Sequence, residues 1–379
     1  MALFDGATGG LKCGLIAFVL VVGVAAARDW YVNPGTGNDA AAGTIDAPVR
    51  LAQAAVDRAR PGDVIHLLPP GTVYRQTIVI EGTRKLTIEG NDVTLTGADP
   101  LPEEGWEQLD GGLRRLQLPR HRLEWMKNRA LVVFDGRGVR MGRSPTVRKD
   151  FPPLETIGPG EFAWEPVDDA RGYLYISGEP SEDEWAVRAA GITTLGTNRD
   201  LTIRNLNARH MLNDGFNIHG DCRGLRCENI AAYENYDEGF SAHDTSEAVV
   251  VAGRFRGNDN AVFDINRSET AYENCVFSNS ISKEVGFAGK RHRLTDCRIA
   301  ASAPVAVMIK GHRKEDLPCR IDSTVIAGTA TASRASVLVQ KRTAHFVDCN
   351  LYRVDLVNRR GSIRTKDTRL DGRRVENGP

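Results

Sequence analysis

Five short segments carry the residue types that could do chemistry: Gly215-Phe-Asn-Ile-His219, Gly239-Phe-Ser-Ala-His243, Val262-Phe-Asp-Ile-Asn266, Gly286-Phe-Ala-Gly-Lys290 and Ala306-Val-Met-Ile-Lys310. Read as strands, they send alternate side chains to opposite sides. Phe216, Phe240, Phe263, Phe287 and Val307 would then stack inward. Outward would go Asn217, Ser241, Asp264, Ala288 and Met308, and beside them His219, His243, Asn266, Lys290 and Lys310. A third column, at the strand entrances, is Asn213, Asp237, Asn260 and Glu284. If successive coils stack about 4.8 Å apart, these residues make one contiguous polar face, shaped for an extended polymer.

His219, His243, Lys290 and Lys310 would neutralise the carboxylates of an acidic polymer. Asn217, His219, Asn266, Arg291 and Lys310 are the expected substrate-binding residues. Asp237, Asp264 and Glu284 are hard oxygen donors of the kind that hold Ca²⁺. Elimination at a uronate needs a base for the proton α to the carboxylate, and Lys290 or Arg291 could serve if its pKa were lowered. On that reading Lys290 is the base, and Asp237, His243 and Asp264 complete the catalytic set. A second chemistry rests on Asn213-Asp214-Gly215-Phe and, one coil later, Asp237-Glu238-Gly239-Phe. Two carboxyl groups a coil apart can act as acid and base in glycoside hydrolysis, although Asn-Asp-Gly is also ordinary turn chemistry. A third reading has no catalysis: outward polar columns are solvated anyway, and repeat faces often serve binding or structure alone.

The elements that would position these residues are read from a repeat. Segments starting at Ile203, Cys227, Ala252, Tyr272, Leu294, Ile321 and Phe346 superpose, at spacings of 24, 25, 20, 22, 27 and 25 residues. That is the length of one coil of a parallel β-helix with three short strands, and propeller blades need about forty residues. The third repeat position (Asn205, Asn229, Asn274, Asp296, Ser323, Asp348) is expected to be an inward polar ladder. The fourth (Leu206, Ile230, Cys275, Cys297, Thr324, Cys349) is expected to be core. Ahead of the coils, Asp46 as N-cap, Pro48, and Val49, Ala52, Val56 and Ala59 at helical spacing predict one amphipathic helix. Its job would be to cover the open end of the stacked core. Residues 101–190 interrupt the coils with four of the five tryptophans and several strand-like runs, read as a small β insertion.

Lys12 and the uncharged run Cys13 to Ala27, closing in Ala25-Ala26-Ala27, read as an export signal, too short for the about twenty residues of a membrane span. Six of the seven cysteines follow it; Cys222 and Cys227 are near enough to pair, but small buried hydrophobes are the expectation. Lys+Arg and Asp+Glu both number 49, so no global field draws the chain to nucleic acid or to an anionic membrane. The basic stretch from Arg359 to Arg374 is read as a frayed end.

Tyr31-Val-Asn-Pro-Gly, Ala47-Pro-Val and Pro61-Gly-Asp-Val-Ile-His-Leu-Leu-Pro resemble the opening of secreted pectate-lyase-like β-helix proteins. Val133-Phe-Asp-Gly, Arg143-Ser-Pro, Pro159-Gly-Glu-Phe and Leu174-Tyr-Ile are similar to an insertion of several β-helix carbohydrate enzymes. The paired acid motifs resemble the polygalacturonase family, and Met308-Ile-Lys310 loosely resembles its basic motif. The first acid motif is compressed, however, and Asp259-Asn-Ala-Val-Phe stands where Gly-His-Gly would be expected. The resemblance implies an all-β, single-stranded right-handed parallel β-helix with a capping helix and an insertion. The divisions are 1–27 signal, 28–100 cap and first coils, 101–190 insertion, and 191–379 main coils. It implies a secreted or periplasmic monomer acting on a polysaccharide as a lyase on a uronate-containing glycan, or as a polygalacturonase-like hydrolase, with Ca²⁺ as the one cofactor considered.

Overall fold

The computed structural model describes residues 26–143, 148–311, 313–314, 316–330 and 333–375. All but the last two residues of the export signal read at 1–27, and the Ser-Pro of the Arg143-Ser-Pro motif, lie outside the described residues. The chain folds as an all-β parallel solenoid. One wall is a nine-stranded parallel sheet in strict chain order, from Ile78–Glu81 and Ile192–Leu195 through Phe216–Ile218, Glu238–Ala242, Asn260–Asp264, Lys283–Phe287 and Val305–Lys310 to Ala335–Gln340 and Val354–Arg359. The other two walls belong to a nineteen-stranded sheet. Among the described residues no helix is long and apolar enough to cross a membrane.

The third repeat position marks the corner between those two walls, and it is not an inward ladder. Asn205, Asn229, Asn274, Asp296, Ser323 and Asp348 all hold φ between 47° and 54°, and none of them is buried. The left-handed conformation, which Asn and Asp tolerate better than other L-residues, explains the residue types. The inward ladder lies at another corner: Asn235 Nδ2 donates to Asn258 Oδ1 at 2.9 Å, and Asn258 Nδ2 to the Ala232 carbonyl at 3.0 Å. The fourth position is core as expected, with Leu206, Ile230, Cys275, Cys297, Thr324 and Cys349 all buried. The six cysteines among the described residues are buried and free, Cys222 and Cys227 included.

The nine-stranded wall corrects the expected alternation. Phe216 pairs with Phe240, but Phe240 pairs with Val262, and Val262 with Val285 and then Val307. Phe263 therefore turns outward, in register with Gly286 and Met308, and Asp264 turns into the interior beside Phe287. A register change of one residue exchanges the two faces of a strand. The cause is a shorter corner. Between ladder and wall pair, Asn235 to Phe240 spans one residue more than Asn258 to Val262. The additional residue is Tyr236, which, with Leu212 one coil earlier, packs against Met126, Leu131 and Val133 of the insertion.

The helix is shorter than expected, Ala52–Arg58, with Leu51 at its N-cap position and no side-chain cap. Asp39 Oδ1, not Asp46, accepts from the backbone N–H groups of Arg50 and Leu51 at 2.9 and 2.8 Å. Val49 is held in a parallel bridge to Val32, which delays the helix start. Ala52, Ala55 and Val56 bury against the end of the core. Gln53 bonds both backbone groups of Val79, so the helix also closes the open edge of the nine-stranded wall. At the other end, the stretch read as frayed is ordered: Thr368–Leu370 and Arg373–Val375 pair antiparallel and finish the last coil.

The insertion forms two antiparallel sheets. One contains Arg129–Phe134, Arg137–Arg143 and Glu184–Ala186; the other contains Leu113–Pro119, Phe162–Pro166 and Arg171–Ser177. Phe162, Trp164, Leu174 and Trp185 are among its core. It docks on successive corners of the solenoid. Tyr236 Oη donates to the Met141 carbonyl at 2.9 Å, Gly138 N–H to Glu234 Oε2 at 2.7 Å, and the Arg140 guanidinium to the Gly257 carbonyl.

Candidate active site

Where the insertion meets the nine-stranded wall, two consecutive coils bring Asp214, Asp237 and Glu238 together, each offering an oxygen within 4.8 Å of the others. Local backbone explains their direction. A side chain at Gly215 would collide with Ala232 of the core, and one at Gly239 with the Ala261 carbonyl and the Asn258 side chain. Glycine is required at both corners, and the neighbouring acids turn away from the interior. Asp214 is fixed on all sides: Oδ1 accepts the Glu238 N–H at 3.0 Å, and Oδ2 accepts Ser241 Oγ at 2.6 Å and Asn213 Nδ2 at 3.0 Å. Glu238 Oε1 accepts Asn260 Nδ2 at 2.7 Å. Asp214 is 1% exposed, whereas Asp237 and Glu238 keep a narrow solvent-facing edge at 6% and 8%.

Among the described residues, Arg129 forms an ion pair with this trio. Arg129, from the insertion, reaches Asp237 Oδ2 at 2.9 Å, Asn213 Oδ1 at 2.5 Å and the Leu212 carbonyl at 3.0 Å. Three buried carboxyl groups this close together resist being ionised all at once. Burial, then the charge of Asp237, pushes the Asp214 carboxyl up to about 6. Burial, then Asp237 and Asp214, holds Glu238 well above the ordinary carboxylate range. Two carboxyls therefore retain protons under conditions where an exposed acid would lose them, next to a third that faces a cation.

The remaining expected site residues divide. His219 and His243 stack outward with ring centres 4.2 Å apart, and His219 Nδ1 lies 3.2 Å from Asp244 Oδ2. Burial, then the neighbouring His219, lowers the His243 pKa to about 4, so this imidazole is neutral above acidic pH. Asn217 lies on the same face, 3.4 Å from Ser241 Oγ. Further along the wall, Asn266 and Lys310 share a shallow cleft with the outward Phe263, Met308 and Arg313. Asn217, His219, His243 and Lys310 are thus brought to one face with the acid trio.

Lys290, Arg291, Asp264 and Glu284 are not. The strand ends at Phe287, and Lys290 lies on the following corner with Nζ 2.5 Å from Glu269 Oε1, where Arg291 also pairs with Glu269. A lysine neutralised by a carboxylate off the wall is no poised base. Asp264 is inside the solenoid, accepting from Thr270 Oγ1 at 2.7 Å, Tyr272 Oη at 2.9 Å and the Ala242 N–H at 3.0 Å. Glu284 also points inward, one register step from Ala261 and Ala306, with Oε1 accepting the Ser280 N–H at 3.1 Å. The grouping of Asp237, Asp264 and Glu284 as cation ligands is overturned: two of the three lie on the opposite side of the wall. The acid cluster that does form uses Asp214 and Glu238, the residues of the second sequence reading. Arg129 carries no local signal, because its partners lie 84 and 108 residues away.

No family model matches the chain, and no curated protein matches it. Solved structures do. The chain is similar to XylC in complex with xylose at 12% identity and TM-score 0.59, over 89% of this chain and 71% of that one. It is similar to pectate lyase Pel9A at 12% identity and TM-score 0.53, over 93% and 80%. A third similar structure is described as a glycoside hydrolase, at 10% identity and TM-score 0.50, over 91% and 97%. At these identities the likeness shows the shared β-helix fold.

Proposed function

We propose that this protein is an exported enzyme that cleaves glycosidic bonds in a polysaccharide, using Glu238 as general acid and Asp237, paired with Arg129, as the carboxylate that attacks the anomeric carbon. The observation that carries this reading is the meeting of Asp214, Asp237 and Glu238 oxygens within 4.8 Å, with Arg129 paired to Asp237. Environments that drive neighbouring carboxyls apart in proton affinity define acid and base roles. Glu238 gives its proton to the glycosidic oxygen as the bond to the anomeric carbon breaks. Asp237, at the short spacing of a retaining pair, bonds to that carbon, and a water that gives its proton to Glu238 then displaces it. Asp214 acts through Glu238, whose backbone it fixes. Outward Asn217, His219, His243 and Lys310 would line the path of the polymer. The solved structures of similar fold include a pectate lyase, a glycoside hydrolase and a xylose complex, which is in keeping with a carbohydrate substrate.

The elimination reading keeps one support. Three carboxylates at this spacing are a donor set that fits Ca²⁺, which takes oxygen ligands, although Lys290 is no longer its base. One assay separates the alternatives: incubation with uronate and neutral polysaccharides, with Ca²⁺ or with chelator, following ultraviolet absorbance of unsaturated uronates and reducing ends. Reducing ends without absorbance, insensitive to chelator, are expected. Glu238→Gln and Asp237→Asn should each lower the rate by about 10²-fold or more. New absorbance that needs Ca²⁺ would transfer the trio to elimination, and binding without cleavage would leave a carbohydrate-binding protein.

A further inference from the structure

On the insertion side of Arg129 lies a pocket of about 350 Å³, lined by Arg120, His121, Arg122, Lys127 and Arg129. Edges of Trp164 and Trp185, whose rings stand 4.9 Å apart, and Leu212 complete it. None of its lining residues is acidic. Lys127 is neutralised from outside by the exposed Glu124 and Asp169, at 2.6 and 3.4 Å. Among the described residues, Arg120 reaches the backbone carbonyl of Asp168 at 2.7 Å and, at 4.0 Å, the exposed Asp169. Two of the guanidinium groups present buried Nε atoms with no hydrogen-bond acceptor among the described residues, those of Arg120 and Arg129. The Arg129 side chain is only 3% exposed. Leaving such donors unpaired is costly, the more so for a charged group. Excess positive charge is also visible at His121, whose pKa is lowered by burial and then by Arg129.

We infer that this pocket is a subsite for an acidic pyranose of the substrate, its anionic group held by Arg120, Arg122 and Arg129 and its ring set against Trp164 and Trp185. The proposal rests on the glycan-cleaving reading above and names its substrate class. Guanidinium forks suit carboxylate and other oxyanions because they bond two oxygens in one plane. The aliphatic face of a pyranose offers C–H groups to the indole edges, which supply apolar area. Arg129 and Leu212 belong both to this pocket and to the acid trio. A sugar seated here is therefore contiguous with the proposed site of bond cleavage.

The test is equilibrium binding of D-glucuronate, D-galacturonate, D-glucose and glucose 6-sulfate to the full exported chain, by calorimetry and tryptophan fluorescence. The two uronates should bind with an affinity that falls as salt is raised, and glucose should bind at least about tenfold more weakly. In an Arg120→Gln/Arg122→Gln variant, uronate affinity should fall at least about tenfold while the thermal midpoint stays unchanged. Glucose 6-sulfate binding in place of the uronates would assign the pocket to sulfate esters and overturn the uronate assignment. Equal affinity for glucose and glucuronate, or uronate binding untouched in the folded double variant, would overturn the subsite altogether. Uronate binding by a chain that cleaves no glycan would sink the proposed function and leave the subsite standing.

Discussion

Asp264 shows how one side chain can couple the solenoid to pH. It is fully buried, and burial, offset in part by Thr270, Tyr272 and the Ala242 N–H, pushes its carboxyl up to about 7. Thr270 Oγ1 also lies 2.7 Å from His292 Nδ1, and the Gly289 N–H donates to His292 Nε2 at 3.0 Å. The imidazole is therefore neutral with its proton on Nδ1, in line with burial lowering its pKa. The sign for stability follows directly. Between the ordinary Asp value near 4 and about 7, the folded chain holds a proton that the unfolded chain has lost, so stability falls as pH rises across that window. Asp214 and Glu238 act in the same direction. Asp264→Asn, which keeps the shape and carries no charge, should flatten part of the decline in thermal midpoint between pH 5 and 7.5. An unchanged pH slope in this variant would mean that Asp264 does not titrate in that range.

At the scale of the element, each coil depends on corners that only some residues can turn. Asp296 holds φ 53° on an exposed corner between the two walls of the nineteen-stranded sheet. A β-branched side chain there meets the full left-handed penalty of about 1–2 kcal/mol, and glycine meets none. In urea denaturation Asp296→Val should lose about that much stability, while Asp296→Gly should stay within about 0.5 kcal/mol of the parent. Equal losses in both would indicate that the carboxylate, not the backbone, holds this corner. The same logic explains why Asn, Asp and Ser recur at a position first read as an inward ladder. Residue type alone does not separate an Asn kept for its backbone conformation from one kept for its side-chain bonds, as at Asn235 and Asn258.

For the whole molecule, the decisive feature is that the insertion and the solenoid complete a single site. Tyr236 is buried at their junction, with its hydroxyl on the Met141 carbonyl. Tyr236→Ala should cost about 3–5 kcal/mol, in the range for large aromatic truncations. It should also free the insertion to limited proteolysis while the parallel solenoid remains intact by circular dichroism. Because Arg129 arrives on the insertion, glycan cleavage should fall with it. Full activity with a protease-sensitive insertion would disconnect the two.

The repeat spacing, the short β-branched runs and the Asn/Asp corners determined the solenoid from sequence alone, because a periodic chain can bury its apolar residues only by stacking on itself. They also determined that Asp237, His219 and His243 belong to one face, and they raised Asp214 and Glu238 as a second possibility. The tertiary structure decided two things. It decided register: Ala261-Val262-Phe263 is apolar throughout and so fixes no face, and only the corner lengths set against Tyr236 and Leu212 send Phe263 out and Asp264 in. It also decided charge, since the distant Arg129 reaches Asp237 while the adjacent Glu269 claims Lys290. Alternation is local, but a side chain's proton affinity depends on whatever the fold brings near it.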